Sequence, residues 1–478
     1  MLPTCQEMQD AEERLFATGV KAETLMDAAG LGCARAIDHF FPEPGRATLF
    51  CGKGNNAGDA LVIGRHLQDW GWTVDAVYSC ETGEGSDLLR NKRADFESDD
   101  TPGGGPRILV DGLLGIGAGG PLRGKIGELA EQINTIRRAE HATVFAVDLP
   151  TGLGAENGVK ADFTLSICEF KADLLEDSAI DRVGRLVKIE LPELSGMLEP
   201  GGPSVADANT LRSWLTPRNF GDHKGSAGRV AIVAGSRGLT GAATLGGMGA
   251  LHGGAGLTTI FAEGLIYDIV ASSAPPEIMV RPTTDFSEVF DFNADVLAIG
   301  PGLGEKPPKD IRDLIFDDPR PAVIDADGLN LIAPKFPFDF GKKPRLLTPH
   351  PGEMARFFDP LETRLATAEK LTDETGAAVV FKGARSVVTA PGEAAIYNST
   401  GHPGMATGGI GDVLTGLTAA LITQKISSFR AGVLGSWLIG RAAEIATFER
   451  GESAESLTAG MVAECLGGAF ESLKRGDF

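Results

Sequence analysis

Apolar positions in residues 6–40 (Met8, Ala11, Leu15, Leu25, Ala29, Ala34, Ile37) fall at helical spacing and predict two amphipathic helices broken near Gly19. Beyond them the pattern changes to short apolar runs, each ending in a glycine-rich or polar exit and followed by another helical stretch. The run at residues 47–51 leads into Gly52-Lys53-Gly54-Asn55-Asn56-Ala57-Gly58-Asp59 and a helix to about Trp70. A second ends near Val110 and opens onto Asp111 and the glycines of residues 115–120; a third ends near Val147 and opens onto Asp148 and Thr151. Residues 163–167 and 186–191 read as further strands. Buried strands alternating with helices fit a parallel sheet covered on both faces.

Residues 192–207 (PELSGMLEPGGPSVAD) lack periodicity and carry proline and glycine throughout, which predicts a linker. A boundary near residue 200 gives two domains, 1–200 and 201–478, each long enough for its own core. The second half restarts with a strand at 229–235, then a helix of small residues at 242–253 whose Gly and Ala permit close packing. Strand-then-loop units follow at 295–304, 321–330 and 345–353, and two strands flank a Lys382–Gly383 turn within residues 378–388. The loop at 398–416 (NSTGHPGMATGGIGDVLTG) precedes a helical remainder. The expected class is α/β, with two three-layer α/β/α domains and a Rossmann-like sheet in the first.

Composition narrows the partners. A net charge of −21 argues against a nucleic-acid backbone or an anionic membrane surface, though not against small phosphorylated ligands. The 64 glycines exceed the usual share of about 7% and cluster between apolar runs, as ligand-binding loops do. Six scattered cysteines, with no C-x-x-C pair, suit a reducing compartment. Glu7, Asp10, Glu12 and Glu13 precede any hydrophobic run, so the start is no signal peptide, and the longest apolar stretch, 431–440, is too short for a bilayer. A cytoplasmic location is expected.

The chemistry concentrates at strand exits. Gly408-Gly409-Ile410-Gly411 end a loop, and Asp412 lies in the first turn of a helix whose N–H groups form an anion site. A carboxylate there suits proton abstraction from a hydroxyl that attacks a phosphoryl group; a helix-start aspartate favoured by the dipole fits equally. His350, held between Pro349 and Pro351, is aimed at something or is structural. Lys382 fits a nucleotide phosphate or a solvated position. Asp325 and Asp327 alternate onto one side, where they could hold Mg2+, or simply open a helix. Asn56, Asp111, Asp148 and Thr151 could share one crevice at the sheet's carboxyl edge, their oxygens suiting a hard cation rather than zinc, unless the aspartates only cap strands and helices.

The motifs GMATGGIGDVL, HKGSAGRVAIVAGS, GPGLG, IDADGLN, LTPHPGE and FKGARSVV resemble the ADP- or ATP-dependent NAD(P)H-hydrate dehydratases of the ribokinase-like fold. GNNAGDALVIGRHL, VDGLLGIGAGGPLRG and VDLPTGL resemble NAD(P)H-hydrate epimerase. Both in this order resemble the bifunctional nicotinamide-nucleotide-hydrate repair family. The resemblance implies that Asn55, Asn56, Ala57, Gly58 and Asp59, with Gly115, Ile116, Gly117, Ala118, Gly119, Gly120, Pro121 and Asp148, contact the hydrated nucleotide (NADHX or NADPHX), while Asn56, Asp111 and Thr151 bind K+. In the second half it implies that Ala242, Gly304, His350 and Asp412 contact the hydrate, and that Lys382, Gly383, Ala384, Arg385, Ser386 and Gly411 bind the adenine nucleotide, ADP or ATP, with Mg2+ on its phosphates. The catalytic groups would be Asp412 as base and Asp148 as the epimerase acid/base group.

Departures from the family pattern are Ala57 and Ala60, where glycine is usual, and Thr151, where serine is usual. A methyl at Ala57 would crowd a backbone needing positive φ. The rival reading is a small-molecule kinase of vitamin-precursor type with a non-catalytic nucleotide-binding first half. The helix near residues 246–254 could also serve subunit packing in a homo-oligomer.

Overall fold

Runs that are apolar on both faces fold as the central strands of two sheets, because helices cover both sides. The computed structural model describes residues 2–99, 104–116, 120–199 and 201–478. It falls into two units, Met1–Gly202 with Phe478, and Pro203–Asp477.

The first unit holds β1 (Arg46–Cys51), β2 (Thr73–Tyr78), β3 (Arg107–Gly112), β4 (Thr143–Val147), β5 (Phe163–Ile167) and β6 (Arg185–Ile189). They lie in the order β2-β1-β3-β4-β5-β6, every pair parallel. The chain leaves β1 toward one side and returns to β3 on the other, so a crevice opens between their carboxyl ends. Register makes those ends level, with Cys51 opposite Gly112. Where the two exits cross, a Cβ on Gly52 would lie 1.8 Å from the Leu113 carbonyl oxygen, so only glycine fits. The expected helices form at Cys5–Ala17 and Ala22–Phe40, the first closed by a Thr4–Glu7 capping box. The glycine-rich exit of β1 becomes helix Asn55–Asp69.

The segment 192–207 departs from the expected linker. Pro192–Ser195 forms a short helix with Leu194 buried, and β7 (Ser204–Val205) joins the second sheet. A two-residue strand held by backbone bonds (Ser204 N to Ala395 O, 3.0 Å; Ala206 N to Tyr397 O, 2.8 Å) needs no side-chain period, so periodicity could not reveal it.

The second unit contains β7, β8 (Arg229–Val233), β9 (Leu257–Glu263), β10 (Ile278–Thr283), β11 (Val296–Ile299), β12 (Ala322–Ile324), β13 (Arg345–Leu347), β14 (Ala378–Phe381), β15 (Val387–Thr389) and β16 (Ile396–Tyr397). Their order is β10-β9-β8-β11-β12-β13-β14-β15-β16-β7, with only β15 antiparallel to its neighbours among the described pairs. The β14–β15 hairpin carries Lys382 at its turn, as the sequence predicts. Among the described residues no helix is long and apolar enough to cross a membrane.

Helices Thr240–His252 and Ile410–Thr423 pack along a seam of glycines. A Cβ on Gly416 would stand 1.9 Å from the Gly246 carbonyl oxygen, and one on Gly249 would stand 2.1 Å from that of Val413. Backbone touches backbone here, and any side chain would force the helices apart. Gly416→Ala is expected to destabilise the protein by about 1–3 kcal/mol, the usual cost of overpacking. Calorimetry checks it: an unchanged melting temperature would mean the seam has room to spare.

Candidate functional site

In the first unit a cleft of about 420 Å³ opens at the carboxyl ends of the strands, with Asn55, Asn56, Asp59, Gly115, Ile116 and Asp148 on its lining. Met8, Phe16, Leu25 and Met26 form an apolar wall. Ala57 and Gly58 face inward from the same helix, and a Cβ on Gly58 would meet Met26 at 2.6 Å. Ala57 is helical and absent from the positive-φ positions, so its methyl is accommodated and the expected crowding does not arise. Ala60 faces Gly112, the small partner that leaves room for its methyl. Gly120 and Pro121 are exposed and away from the lining, and Gly117, Ala118 and Gly119 lie outside the described residues.

Asn56, Asp111 and Thr151 converge on the turn after β3. Asp111 is fully buried, and its carboxylate accepts hydrogen bonds from the Thr151 hydroxyl (2.7 Å), the Thr151 N–H (2.8 Å) and the Leu113 N–H (3.2 Å). The Thr151 hydroxyl accepts from Leu114 N–H at 3.0 Å, and Asn56 Nδ2 donates to the Leu114 carbonyl at 3.1 Å. Burial pushes the Asp111 carboxyl up to about 6 despite those donors. Among the described residues no three His, Cys, Asp or Glu side chains form a metal-holding group.

Asp148 follows β4 with φ of +66°, a conformation aspartate tolerates when its side chain bonds locally. It accepts from Ile167 N–H at 3.1 Å and forms an ion pair with Lys171, which is 1% exposed and also donates to the Ile167 carbonyl at 2.7 Å. Sequence reasoning missed Lys171 and also Glu12, which reaches the cleft from helix Cys5–Ala17. A lone lysine among apolar residues gives no signal until the fold supplies its partner.

In the second unit the exits of β11, β12 and β13 are level, Ile299 beside Ile324 and Ile324 beside Leu347. Gly409 caps helix Ile410–Thr423 in the left-handed conformation (φ +96°), and a Cβ there would strike Leu245 at 2.5 Å. Asp412 occupies the helix's first turn. Beside it a Cβ on Gly411 would lie 3.2 Å from Lys382 Nζ and 3.4 Å from Asp325 Oδ2. Lys382 Nζ is 2.6 Å from Asp325 Oδ1 and 3.9 Å from Glu353 Oε2, and the Thr415 hydroxyl donates to Asp325 Oδ2 at 2.8 Å. Burial first, then the Asp325 charge, pushes the Asp412 carboxyl up to about 7.

Ala326 between Asp325 and Asp327 turns to φ +49°, so strand alternation does not run through this segment, yet both charges act on Asp412. Asp325, 1% exposed, meets Lys382, while Asp327 accepts from the Gly304 N–H at 2.8 Å. Ala242 lies close to this exit, since a Cβ on Gly302 would sit 2.8 Å from its methyl. His350 is exposed and caps the short helix Pro351–Met354, its Nδ1 accepting from Gly352 N–H at 2.9 Å. Partial burial and Lys382 lower its pKa. Gly383 and Ala384 are exposed, Ser386 bonds back to Gly383, and Arg385 is only 3% exposed, turned inward rather than presented. Arg364, which sequence reasoning missed, buttresses this turn by donating to the Lys382 carbonyl at 2.9 Å.

Comparison with known proteins finds relatives for both units. A family described as NAD(P)H-hydrate dehydratase matches residues 230–462, and one described as YjeF-related protein N-terminus matches residues 22–172. The bifunctional NAD(P)H-hydrate repair enzyme of Moorella thermoacetica is 35% identical, the alignment covering 90% of this chain and 89% of that one. Its Escherichia coli counterpart is 32% identical over 96% and 90%. The crystal structure of the ADP/ATP-dependent NAD(P)H-hydrate dehydratase from Bacillus subtilis, co-crystallized with ATP/Mg2+, superposes with a TM-score of 0.51. It is 26% identical and covers 57% of this chain and all of its own.

The raised Asp412 carboxyl has a consequence for stability. Its folded pKa of about 7 lies above the unfolded value of about 4, so the folded state binds the proton more tightly and stability falls as pH rises between the two. Asp412→Asn is therefore expected to raise the melting temperature more at pH 8 than at pH 4. Equal shifts at the two pH values would show that this carboxylate carries no folding penalty.

Proposed function

Since the chain belongs to the family of bifunctional NAD(P)H-hydrate repair enzymes, we infer that it returns hydrated nicotinamide nucleotides to NAD(P)H, with an adenine nucleotide as co-substrate. The first unit interconverts the R and S hydrates, and the second dehydrates the S form. The observation that carries the second assignment is Asp412, poised beside the Gly409–Gly411 backbone and the Lys382–Asp325 pair.

The chemistry follows from the substrate. Hydration leaves a hydroxyl on a ring carbon, and hydroxide is a poor leaving group. Asp412 takes the hydroxyl proton as the oxygen attacks the terminal phosphoryl group of the nucleotide, while the amides of Gly409–Gly411 stabilise the charge on the group in transit. Lys382 is held at the same point by Asp325. Phosphate then leaves with the carbon–oxygen bonding pair, the neighbouring ring carbon gives up a proton, and the double bond returns. Mg2+ on the nucleotide phosphates would supply charge neutralisation. His350, Ala242 and Gly304 border the hydrate, and the Lys382–Ser386 turn borders the nucleotide.

In the first unit Asp148, fixed by Lys171 and the Ile167 amide, is the acid/base group. Asn56, Asp111 and Thr151 present oxygens suited to K+, whose charge would offset the buried Asp111 carboxylate. The family relationship favours this reading over a small-alcohol kinase with an inert first half.

Incubating the protein with purified S hydrate and ADP or ATP is expected to restore the reduced-nicotinamide absorbance. The rate should climb as pH rises through about 7, where Asp412 loses its proton, and Asp412→Asn should lower it by about a hundredfold or more. Formation of a stable phosphorylated product without return of absorbance would point to the kinase instead. With racemic hydrate, Asp148→Asn should convert the S form and strand most of the R form; complete conversion at the parent rate would remove Asp148 from the reaction.

A further inference from the structure

Asp59 differs from the three other buried aspartates at the two sites. Asp111 collects three donors, Asp148 an ammonium and an amide, and Asp325 a lysine and a threonine. Asp59 is 9% exposed and borders the cleft, yet among the described residues its carboxyl receives no hydrogen bond and meets no counter-ion. It lies one turn beyond Asn55 on helix Asn55–Asp69, on the face turned to the cleft. The ionisable groups around it are Glu12 from helix Cys5–Ala17, Asp27 and Cys33 from helix Ala22–Phe40, and Asp148 after β4. Lys171, the only cation on the described lining, is committed to Asp148. A carboxylate desolvated among other acids, with nothing to neutralise it, keeps its proton. Burial first, and Asp148 second, hold the Asp59 carboxyl well above the usual carboxylate range.

We propose that Asp59 is the proton donor of the first unit, working in one cleft with Asp148 as its complementary base. The inference rests on the reading that this unit epimerises the hydrate. Water adds to the reduced ring at an enamine, which puts the hydroxyl on the carbon next to the ring nitrogen. The Asp59 proton passes to that hydroxyl, the carbon–oxygen bond breaks, and water departs with the bonding pair. The nitrogen lone pair shares the resulting positive charge. A water molecule then adds to the opposite face and yields one proton to the Asp148 carboxylate. A proton returns from Asp148 to Asp59 through cleft water, so atoms and charge balance over the cycle. Two carboxyls in one cleft, one paired with an ammonium and one without a partner, form a division of labour that enzymes use for acid and base roles.

The test uses the full-length chain and purified R hydrate, with conversion to S followed by chromatography. Asp59→Asn should lower kcat for epimerisation by about a hundredfold or more with KM little changed, while dehydration of purified S hydrate by the same polypeptide reports correct folding. The parent enzyme's kcat should fall at alkaline pH as Asp59 ionises. That limb should vanish from the residual activity of Asp59→Asn and persist in Glu12→Gln. Parent-like epimerisation by Asp59→Asn, or a parent enzyme without the alkaline fall, would overturn the assignment; the second measurement stands even if the variant does not fold. Should the parent chain convert purified R hydrate no faster than buffer does, the epimerase reading itself fails, whereas failure of Asp59 alone leaves that reading intact.

Discussion

The second unit depends on a backbone-to-backbone contact between two helices. Where Gly416 meets the Gly246 carbonyl and Gly249 meets that of Val413, there is no space for even one methyl. Interiors are close-packed and barely compressible, so such a seam fixes both the separation and the rotation of the helices. Asp412 lies one turn before Gly416 on the same helix, and its place beside Lys382 and Asp325 is inherited from that contact. A catalytic carboxylate must be held to a fraction of an ångström, and this helix start is positioned by glycines that carry no chemistry.

Both sites also bury an ion pair at the end of a strand: Asp148 with Lys171 in the first unit, Asp325 with Lys382 in the second. Buried pairs contribute little net stability, because desolvation offsets their attraction. Their value here is geometric and electrostatic. Each holds one carboxylate in place beside a neighbouring carboxyl, Asp59 or Asp412, that is raised above its ordinary range. The penalty of holding those groups in the interior is the kind of strain that active sites retain.

Much of this was legible in the chain. Apolar runs with glycine-rich exits gave the sheets and placed the loops, and the small residues of 242–253 announced close helix packing. The loop at 408–411 pointed to Asp412 because a helix start is a local property. What stayed hidden depends on contacts between distant residues. Lys382 and Asp325 are 57 positions apart, and Asp148 and Lys171 are 23 apart. No spacing rule marks Lys171, Thr415 or Arg364 as members of a site. Local rules also misled where the backbone broke its period. Ala326 takes a positive φ where alternation assumed extended backbone, and Ala57 lies in a helix where the motif suggested a strained loop.

The two-residue strand β7 bears on how the protein can be divided. Ser204 and Val205 cover the rim of β16 through main-chain bonds, and they follow directly after the boundary between the units. A fragment beginning a few residues later would expose the uncovered amides and carbonyls of β16 to any passing strand. A fragment of this chain that is to keep its second sheet sealed must therefore begin upstream of Ser204.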